Sequence, residues 1–304
     1  MFEERTVCAT SSSPSGRHRV SPENRTPGGS KVSREATAWN PKELFMPKYS
    51  QVFLQDREMC ELIATELAPE EFNGALEIGP GRGAITEFLY PLWNERLSLV
   101  EIDPALAARM RAKFPAARVH NADFLEFDLA ANLAGGGRTA FVGNLPFERS
   151  TAILLKALAF PGFGAAAFMF QREVAEKITA EAGDSDFSYL SVAAQVQSGV
   201  KLLAEIPASS FSPVPEVDSS VLVFRPLQTF AGAERLEAFL NFVKHAFSHR
   251  RKTLMNSLSL GLCREKSLVK GVIESAGFDP GARPQELSVQ DYLKLAAAFG
   301  EEKK

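Results

Sequence analysis

The chain has 304 residues, of which 45% are hydrophobic, and a formal net charge of −3. That length accommodates one large domain and a smaller one, and that apolar content excludes wholesale disorder. No apolar run approaches the ~20 residues of a membrane span. Three cysteines, Cys8, Cys60 and Cys263, are scattered without paired spacing. This excludes a disulfide framework or a Cys-rich zinc site and fits a reducing cytoplasm.

Residues 1–45 are rich in Ser, Pro, Gly, Arg and Thr, lack periodicity and are expected to be disordered. They contain no apolar core of a secretory signal, and Glu3 and Glu4 argue against a transit peptide. Met46, directly before Pro47-Lys48-Tyr49-Ser50-Gln51, is a candidate physiological start. From there strands and helices alternate. Arg57–Leu67 reads as a helix with Met59, Ile63 and Leu67 on one side, and Ala75–Ile78 as a strand. A helix over Ile85–Leu92 leads to a strand over Leu97–Ile102 and a helix over Pro104–Phe114, with Pro104 at a favourable first-turn position. Arg118–His120 and Thr139–Gly143 follow as strands, then a helix over Ser150–Ala159 with Ser150 as its cap. Ala165–Gln171 is a strand, Arg172–Ala180 and Ser188–Gln197 are helices, and Lys201–Ile206 and Ser220–Arg225 are late strands. Such alternation implies an α/β fold, a mostly parallel sheet covered on both faces. After Pro226 only helices are expected, over Glu234–Leu260, Ser267–Ala276 and Val289–Phe299. The expected domains are therefore an α/β domain over 46–226 and a small helical one over 227–304.

Four segments carry chemistry. Glu77-Ile78-Gly79-Pro80-Gly81-Arg82-Gly83 follows a strand and precedes a helix, so its glycines can bring the backbone close to a ligand. The spacing Gly79, Gly81, Ala84 also satisfies a dinucleotide loop, but the acidic Glu77 and the closing Gly83 favour S-adenosylmethionine. Glu101, about 20 residues on, can accept ribose hydroxyls of either ligand. Asp123 after the third strand can accept an adenine amino group, or is an ordinary loop residue. Ligands of open α/β sheets sit at the strand ends these residues share.

Asn144-Leu145-Pro146-Phe147 ends a buried strand and suits chemistry on the exocyclic amine of a flat base. The Asn144 side-chain oxygen and the Leu145 carbonyl can each accept one amine hydrogen. Pro146 stiffens the turn and keeps Leu145 extended, and Phe147 offers a stacking face. Phe211, in Phe211-Ser212-Pro213-Val214-Pro215, is either a core residue or a second ring opposite Phe147. Arg250-Arg251-Lys252, with Lys244 on the same expected helix, is either a solvated face or a set of phosphate contacts, and the separate apolar stripe favours the latter. His245 and His249 are four apart, but their basic neighbours repel a cation, and no metal is expected.

Together these stretches resemble the small-subunit ribosomal RNA adenine N6,N6-dimethyltransferases of the KsgA type. Seven matches run in order over about 46–260: Gln51–Asp56, Glu77–Gly83, Val100–Asp103, Asn121–Asp123, Asn144–Phe147, Phe211–Ser219 and Phe247–Leu258. The resemblance implies a Rossmann-like S-adenosylmethionine-dependent fold. Its donor site would comprise Gln51, Leu54, Gly79, Gly81, Glu101, Asp123 and Asn144. Base handling would fall to Asn144, Leu145, Pro146 and Phe147, with Phe211 opposite, and the RNA surface to Lys244, Arg250, Arg251 and Lys252. The implied reaction is dimethylation of two adjacent adenosines near the 3′ end of small-subunit (16S) rRNA. A cytoplasmic monomer would act on a pre-30S particle, with no membrane partner. Departures are Val52 where the family has Asn, Phe147 where Tyr is more frequent, Phe187-Ser188 where it has Tyr-Gly, and a less basic overall charge. Alternatives are a large-subunit rRNA methylase of the resistance type and a non-catalytic ribosome-assembly or transcription factor on the same fold. A nicotinamide dehydrogenase ranks below both, because no hydride-transfer acid/base pair is evident.

Overall fold

A computed structural model describes residues 52–67, 69–133, 137–230, 232–249 and 251–301. The expectations for residues 1–45, for Met46 as a start, for Gln51 and for Arg250 lie outside these residues.

Among the described residues, seven strands form one sheet. In chain order they are β2 (Gly74–Ile78), β3 (Leu97–Glu101), β4 (Arg118–Asn121), β5 (Thr139–Asn144), β6 (Phe163–Gln171), β7 (Ser198–Ile206) and β9 (Ser219–Pro226). Their order across the sheet is β4-β3-β2-β5-β6-β9-β7. From β4 to β6 all neighbours are parallel, whereas β9 runs antiparallel to both β6 and β7. The chain builds outward through β2, β3 and β4, then crosses back so that β5 pairs with the free side of β2. That reversal opens a crevice beyond the carboxyl ends of β2 and β5, where ligands bind in sheets of this kind.

The two-residue side-chain period of the strands divides the core. Ala75, Leu97, Leu99, Ala140 and Val142 face one apolar layer, which packs on α1 (Arg57–Thr65), α2 (Thr86–Trp93) and α3 (Pro104–Lys113). Leu76, Ile78, Val100 and Phe141 face the other, against Ile153, Leu154 and Ala157 of α5 (Ser150–Leu158) and Ala175 and Ile178 of α6 (Arg172–Thr179). Every residue of β3 is buried, Ser98 and Glu101 included, as in a strand covered on both faces. Asp103 caps α3 by accepting from the Ala105 and Leu106 N–H groups, with Pro104 in the first turn as expected. At α5 the expected cap is displaced by one residue. Ser150 is already helical and its hydroxyl donates to the Phe147 carbonyl.

Four features differ from the sequence expectation. A two-stranded antiparallel ribbon, β1 (Phe53–Leu54) with β8 (Phe211–Ser212), ties the start of the described chain to the proline-rich loop. Strands of two residues carry no readable period. Leu129–Asn132 forms the one-turn helix α4, capped by Asp128. A helix over Ser188–Gln197 appears as the shorter α7 (Tyr189–Gln195). The helix expected over Glu234–Leu260 is two, α8 (Ala233–Phe247) and α9 (Leu254–Leu262). Ser248 closes the first by donating to the His245 carbonyl, and Thr253 caps the second by accepting from the Asn256 N–H. Arg251 and Lys252 therefore lie in the connection and not on a helix.

Helices α10 (Lys266–Ser275) and α11 (Val289–Glu301) complete a third core with α8 and α9. That core extends back across residue 226 to include Ala180, Phe187, Val192 and Val196. Phe187 and Tyr292 both pack on Phe247, at ring separations of 6.2 and 5.6 Å. No helix among the described residues is long and apolar enough to cross a membrane.

Candidate active site

The loop after β2 adopts a backbone that depends on its glycines. Gly79, Gly81 and Gly83 have φ of 65°, 57° and 85°, a region that side chains with a Cβ disfavour. The Gly79 N–H donates to the Val100 carbonyl, which seats the turn on β3. A Cβ on Gly79 would meet nothing within 4 Å and would project into open space. A Cβ on Gly81 would lie 2.9 Å from the Phe53 ring. Phe53 therefore lies directly on the loop, and the Arg82 guanidinium covers its ring at 4.3 Å. The β1–β8 ribbon acts as a strap that walls one side of a cleft lined by Val52, Leu54, Gly79, Glu101, Asn144 and Phe147.

Two carboxylates sit at the base of this cleft. Glu101, 3% exposed, accepts from the Gly81 N–H at 3.0 Å and from the Asp103 N–H at 2.9 Å. Burial raises its pKa, against the effect of these backbone bonds. Each carboxylate oxygen keeps a further acceptor position, so the group can still take a hydroxyl hydrogen from a ribose. Glu77 is buried deeper and accepts from the Thr86 hydroxyl at 2.6 Å. Burial pushes it up to about 8, the Thr86 bond opposes this, and nearby Glu101 adds to it. Near neutrality Glu77 is therefore largely protonated, which lets two acids occupy one buried corner.

Parallel pairing aligns Glu77 with Val142, which carries Asn144 to the level of Gly79. Gly143 is required beside it, because a Cβ there would lie 2.7 Å from the Ile78 carbonyl. The Asn144 Nδ2 donates to the Val52 main-chain carbonyl at 2.9 Å. A carbonyl only accepts, so this bond turns the amide nitrogen towards the strap. The side-chain oxygen is left without a donor among the described residues. Leu145 is buried, Pro146 is extended at φ −61° and ψ 126°, and half-buried Phe147 opens a 3-10 turn that ends at Arg149.

An adjoining cleft is lined by Gly79, Ile102, Asp123, Phe124, Pro146 and Arg149. Asp123 accepts from the Leu125 N–H at 2.9 Å and pairs with Arg149. Burial works to raise its pKa, but the Arg149 bond, the Leu125 N–H and the nearby cations outweigh burial and hold it below the usual carboxylate range.

Phe211 does not stand opposite Phe147. It is 2% exposed and packs in the first core with Leu54 and Ile206, because pairing with β1 turns its ring inward. The sandwich expected from the sequence is thus not formed; the rings that line the cleft are Phe147 and, on the strap side, Phe53. Lys244, Arg251 and Lys252 are exposed and have no acidic partner among the described residues, but Lys244 alone lies on a helix. Three contributors were not identified from sequence: the Val52 carbonyl, the Arg149 cation and the Thr86 hydroxyl. Only Arg149 carried any signal, a charge two residues beyond Phe147. Among the described residues no three His, Cys, Asp or Glu side chains converge to hold a metal.

Comparison with known proteins places this cleft in a family. The sequence pattern described as ribosomal RNA adenine dimethylase matches residues 43–299. The chain belongs to the ribosomal RNA adenine dimethylase family. It is accordingly a methyltransferase acting on ribosomal RNA, with S-adenosylmethionine as methyl donor. The open space at Gly79 and the acceptor-rich corner at Glu101 fit that donor. A Syntrophotalea carbinolica protein named ribosomal RNA small subunit methyltransferase A is 37% identical over 254 residues, 82% of this chain and 94% of the relative. One of the same name from Chromobacterium violaceum is 36% identical, covering 84% of this chain and 95% of the relative. Among solved structures, a dimethyladenosine transferase from Plasmodium falciparum shares the fold with a TM-score of 0.68 at 23% identity. That match covers 83% of this chain and 98% of the other. The 23S rRNA methyltransferase ErmE gives a TM-score of 0.62 at 28% identity, covering 82% and 99%.

Proposed function

We propose that this family member dimethylates adenosine N6 in small-subunit rRNA, acting as a cytoplasmic monomer on a pre-30S particle. The observation that carries the chemistry is the Val52–Asn144 hydrogen bond, which presents the Asn144 oxygen beside the glycine loop. An adenine amine is a poor nucleophile because its lone pair is conjugated into the ring. With one amine hydrogen accepted by the Asn144 oxygen and the other by the Leu145 carbonyl, the nitrogen is drawn towards tetrahedral geometry and its lone pair is freed. Those acceptors also stabilise the positive charge that develops on nitrogen. Phe147 stacks on the displaced base. Glu101 takes the donor ribose, Asp123 the donor adenine, and Gly79 leaves room for the donor chain. S-adenosylmethionine supplies the electrophilic methyl group. The protein contributes position and preorganised charge, and no side chain needs to act as a strong base.

Val52 departs from the family pattern in its side chain only. Its contribution to the site is a carbonyl, which every residue type provides, and this supports an active enzyme over a non-catalytic assembly factor. The small-subunit assignment is supported by relatives that bear that name at 34–37% identity. The likeness to ErmE favours the large-subunit alternative, at lower identity. Lys244, Arg251 and Lys252 are proposed as phosphate contacts, with Arg250 from the same run.

The test is incubation with labelled S-adenosylmethionine and undermethylated small ribosomal subunits, followed by nucleoside mass spectrometry. N6,N6-dimethyladenosine is the expected product. Unmodified rRNA alongside measurable donor binding would refute the proposal in favour of a non-catalytic factor. Modification of large-subunit rRNA alone would transfer it to the resistance-type branch.

A further inference from the structure

Helix α5 begins immediately after the turn that carries Phe147, and Arg149 at its N-cap and Lys156 within it both reach the loop that follows β4. Arg149 Nη1 lies 2.5 Å from Asp123 Oδ2, while Asp123 Oδ1 accepts from the Leu125 N–H. Lys156 is seven residues further on, two helical turns, and so projects on the same side. Its ammonium donates to the carbonyls of Phe124, Leu125 and Phe127 at 2.8, 2.8 and 2.7 Å. The loop over 123–127 is thus held at both ends by the element that leaves the target-base turn. Arg149 also anchors that turn itself, because its backbone N–H donates to the Pro146 carbonyl at 3.0 Å. Asp123, Arg149 and Pro146 line one cleft.

From this geometry we infer that Arg149 is a positioning residue joining the two halves of the site. It holds the Asp123 carboxylate in place for the donor's adenine amine, and through the same ion pair it fixes the turn that carries Phe147. The inference rests on the reading above that Asp123 receives the donor adenine. Arg149 and the amine need not compete. Oδ2 has two acceptor positions, so one takes the guanidinium and the other remains open towards the cleft. The Asp123 side chain is 19% exposed and that of Arg149 47%, so the acid is the sheltered partner and the arginine its outer clamp. Without the guanidinium, Asp123 keeps one bond, to the Leu125 N–H, and its second oxygen is free to turn to solvent.

The experiment compares binding of S-adenosylhomocysteine with that of its hypoxanthine analogue, which lacks the amine, by calorimetry. Wild type, Arg149→Ala and Arg149→Lys are measured, with thermal melts as a folding control. Arg149→Gln, which removes the charge but keeps a polar side chain, substitutes for Ala should that variant not fold. Arg149→Ala is expected to weaken S-adenosylhomocysteine by about tenfold, the scale of a disrupted charge-assisted hydrogen bond. The hypoxanthine analogue should change by less than about twofold, and Arg149→Lys should recover most of the loss. Equal weakening of both ligands, or unchanged S-adenosylhomocysteine binding, overturns the inference. A raised KM for rRNA with unaltered donor affinity also overturns it and makes Arg149 an RNA contact. If wild type binds both ligands equally, the placement of the donor adenine at Asp123 fails, and the inference fails with it.

Discussion

Glu77→Gln is expected to make the protein more stable at alkaline pH, with a far smaller gain at pH 5. The Glu77 side chain is 2% exposed, and burial pushes its pKa up to about 8 from an ordinary value of 4.5. In the unfolded chain the proton leaves near 4.5; in the folded chain it stays until about 8. Between those values the folded state binds one more proton than the unfolded state, so this group makes stability fall as pH rises. The slope is about 1.4 kcal/mol per pH unit, which accumulates to roughly 4 kcal/mol by pH 8 and then levels off. Gln is neutral throughout and can still accept from Thr86, so it reproduces the protonated acid without the penalty. The difference between variant and wild type should be about 1 kcal/mol at pH 5 and about 4 kcal/mol at pH 8. With a urea m-value of about 2–3 kcal/mol/M, the unfolding midpoint of Glu77→Gln should exceed wild type by roughly 1–2 M at pH 8. Urea titrations without donor at pH 5, 6, 7 and 8 check this. The other titrating groups are common to both proteins and cancel, apart from Glu101, which is coupled to Glu77. Parallel midpoints across the series would refute the reasoning and mean that Glu77 is ionised in the folded protein.

Asn144→Ala should cut turnover by roughly 10²-fold or more, since it removes one preorganised acceptor of the amine. Its S-adenosylhomocysteine affinity by calorimetry should stay within a few-fold, and near-normal turnover would reject the role. Glu101→Ala should do the reverse, weakening donor binding in the same assay, because the buried acceptor of the ribose is lost while Asn144 is untouched. Gly79→Ala should lower stability by about 1 kcal/mol through its positive φ. The added methyl group points into open cleft, so donor affinity should fall by tenfold or more; unchanged affinity would place the donor elsewhere.

Much of the frame could be read along the chain because it is encoded by neighbours. Leu97–Glu101 and Phe163–Gln171 are strands, and the sequence reads as strand over 97–102 and 165–171. Glycines at 79, 81 and 83 signal a backbone that only glycine adopts readily, and the structure places all three at positive φ. Asp103 with Pro104 marks a helix start for reasons internal to one turn. The break at 248–253 escaped because the apolar stripe from Phe242 to Leu258 has the same period whether one helix or two carries it. Phe211 escaped because an aromatic before a proline-rich loop suits a core or a stacking face equally, and only the pairing with β1 turns it inward. The strand-end acids and Asn144 were visible as residues, but their partners were not. Val52 acts through a carbonyl that carries no side-chain signature, from 92 residues away. Arg149 meets Asp123 across 26 residues because the chain crosses from β4 back to β5, so that the segments after both strands lie at one edge of the sheet. Local periodicity and turn chemistry thus determined the elements and the residue types at their ends. Which donor meets which acceptor was decided by the crossover and the strap, since hydrogen bonds and ion pairs depend on distances that only the packed sheet sets.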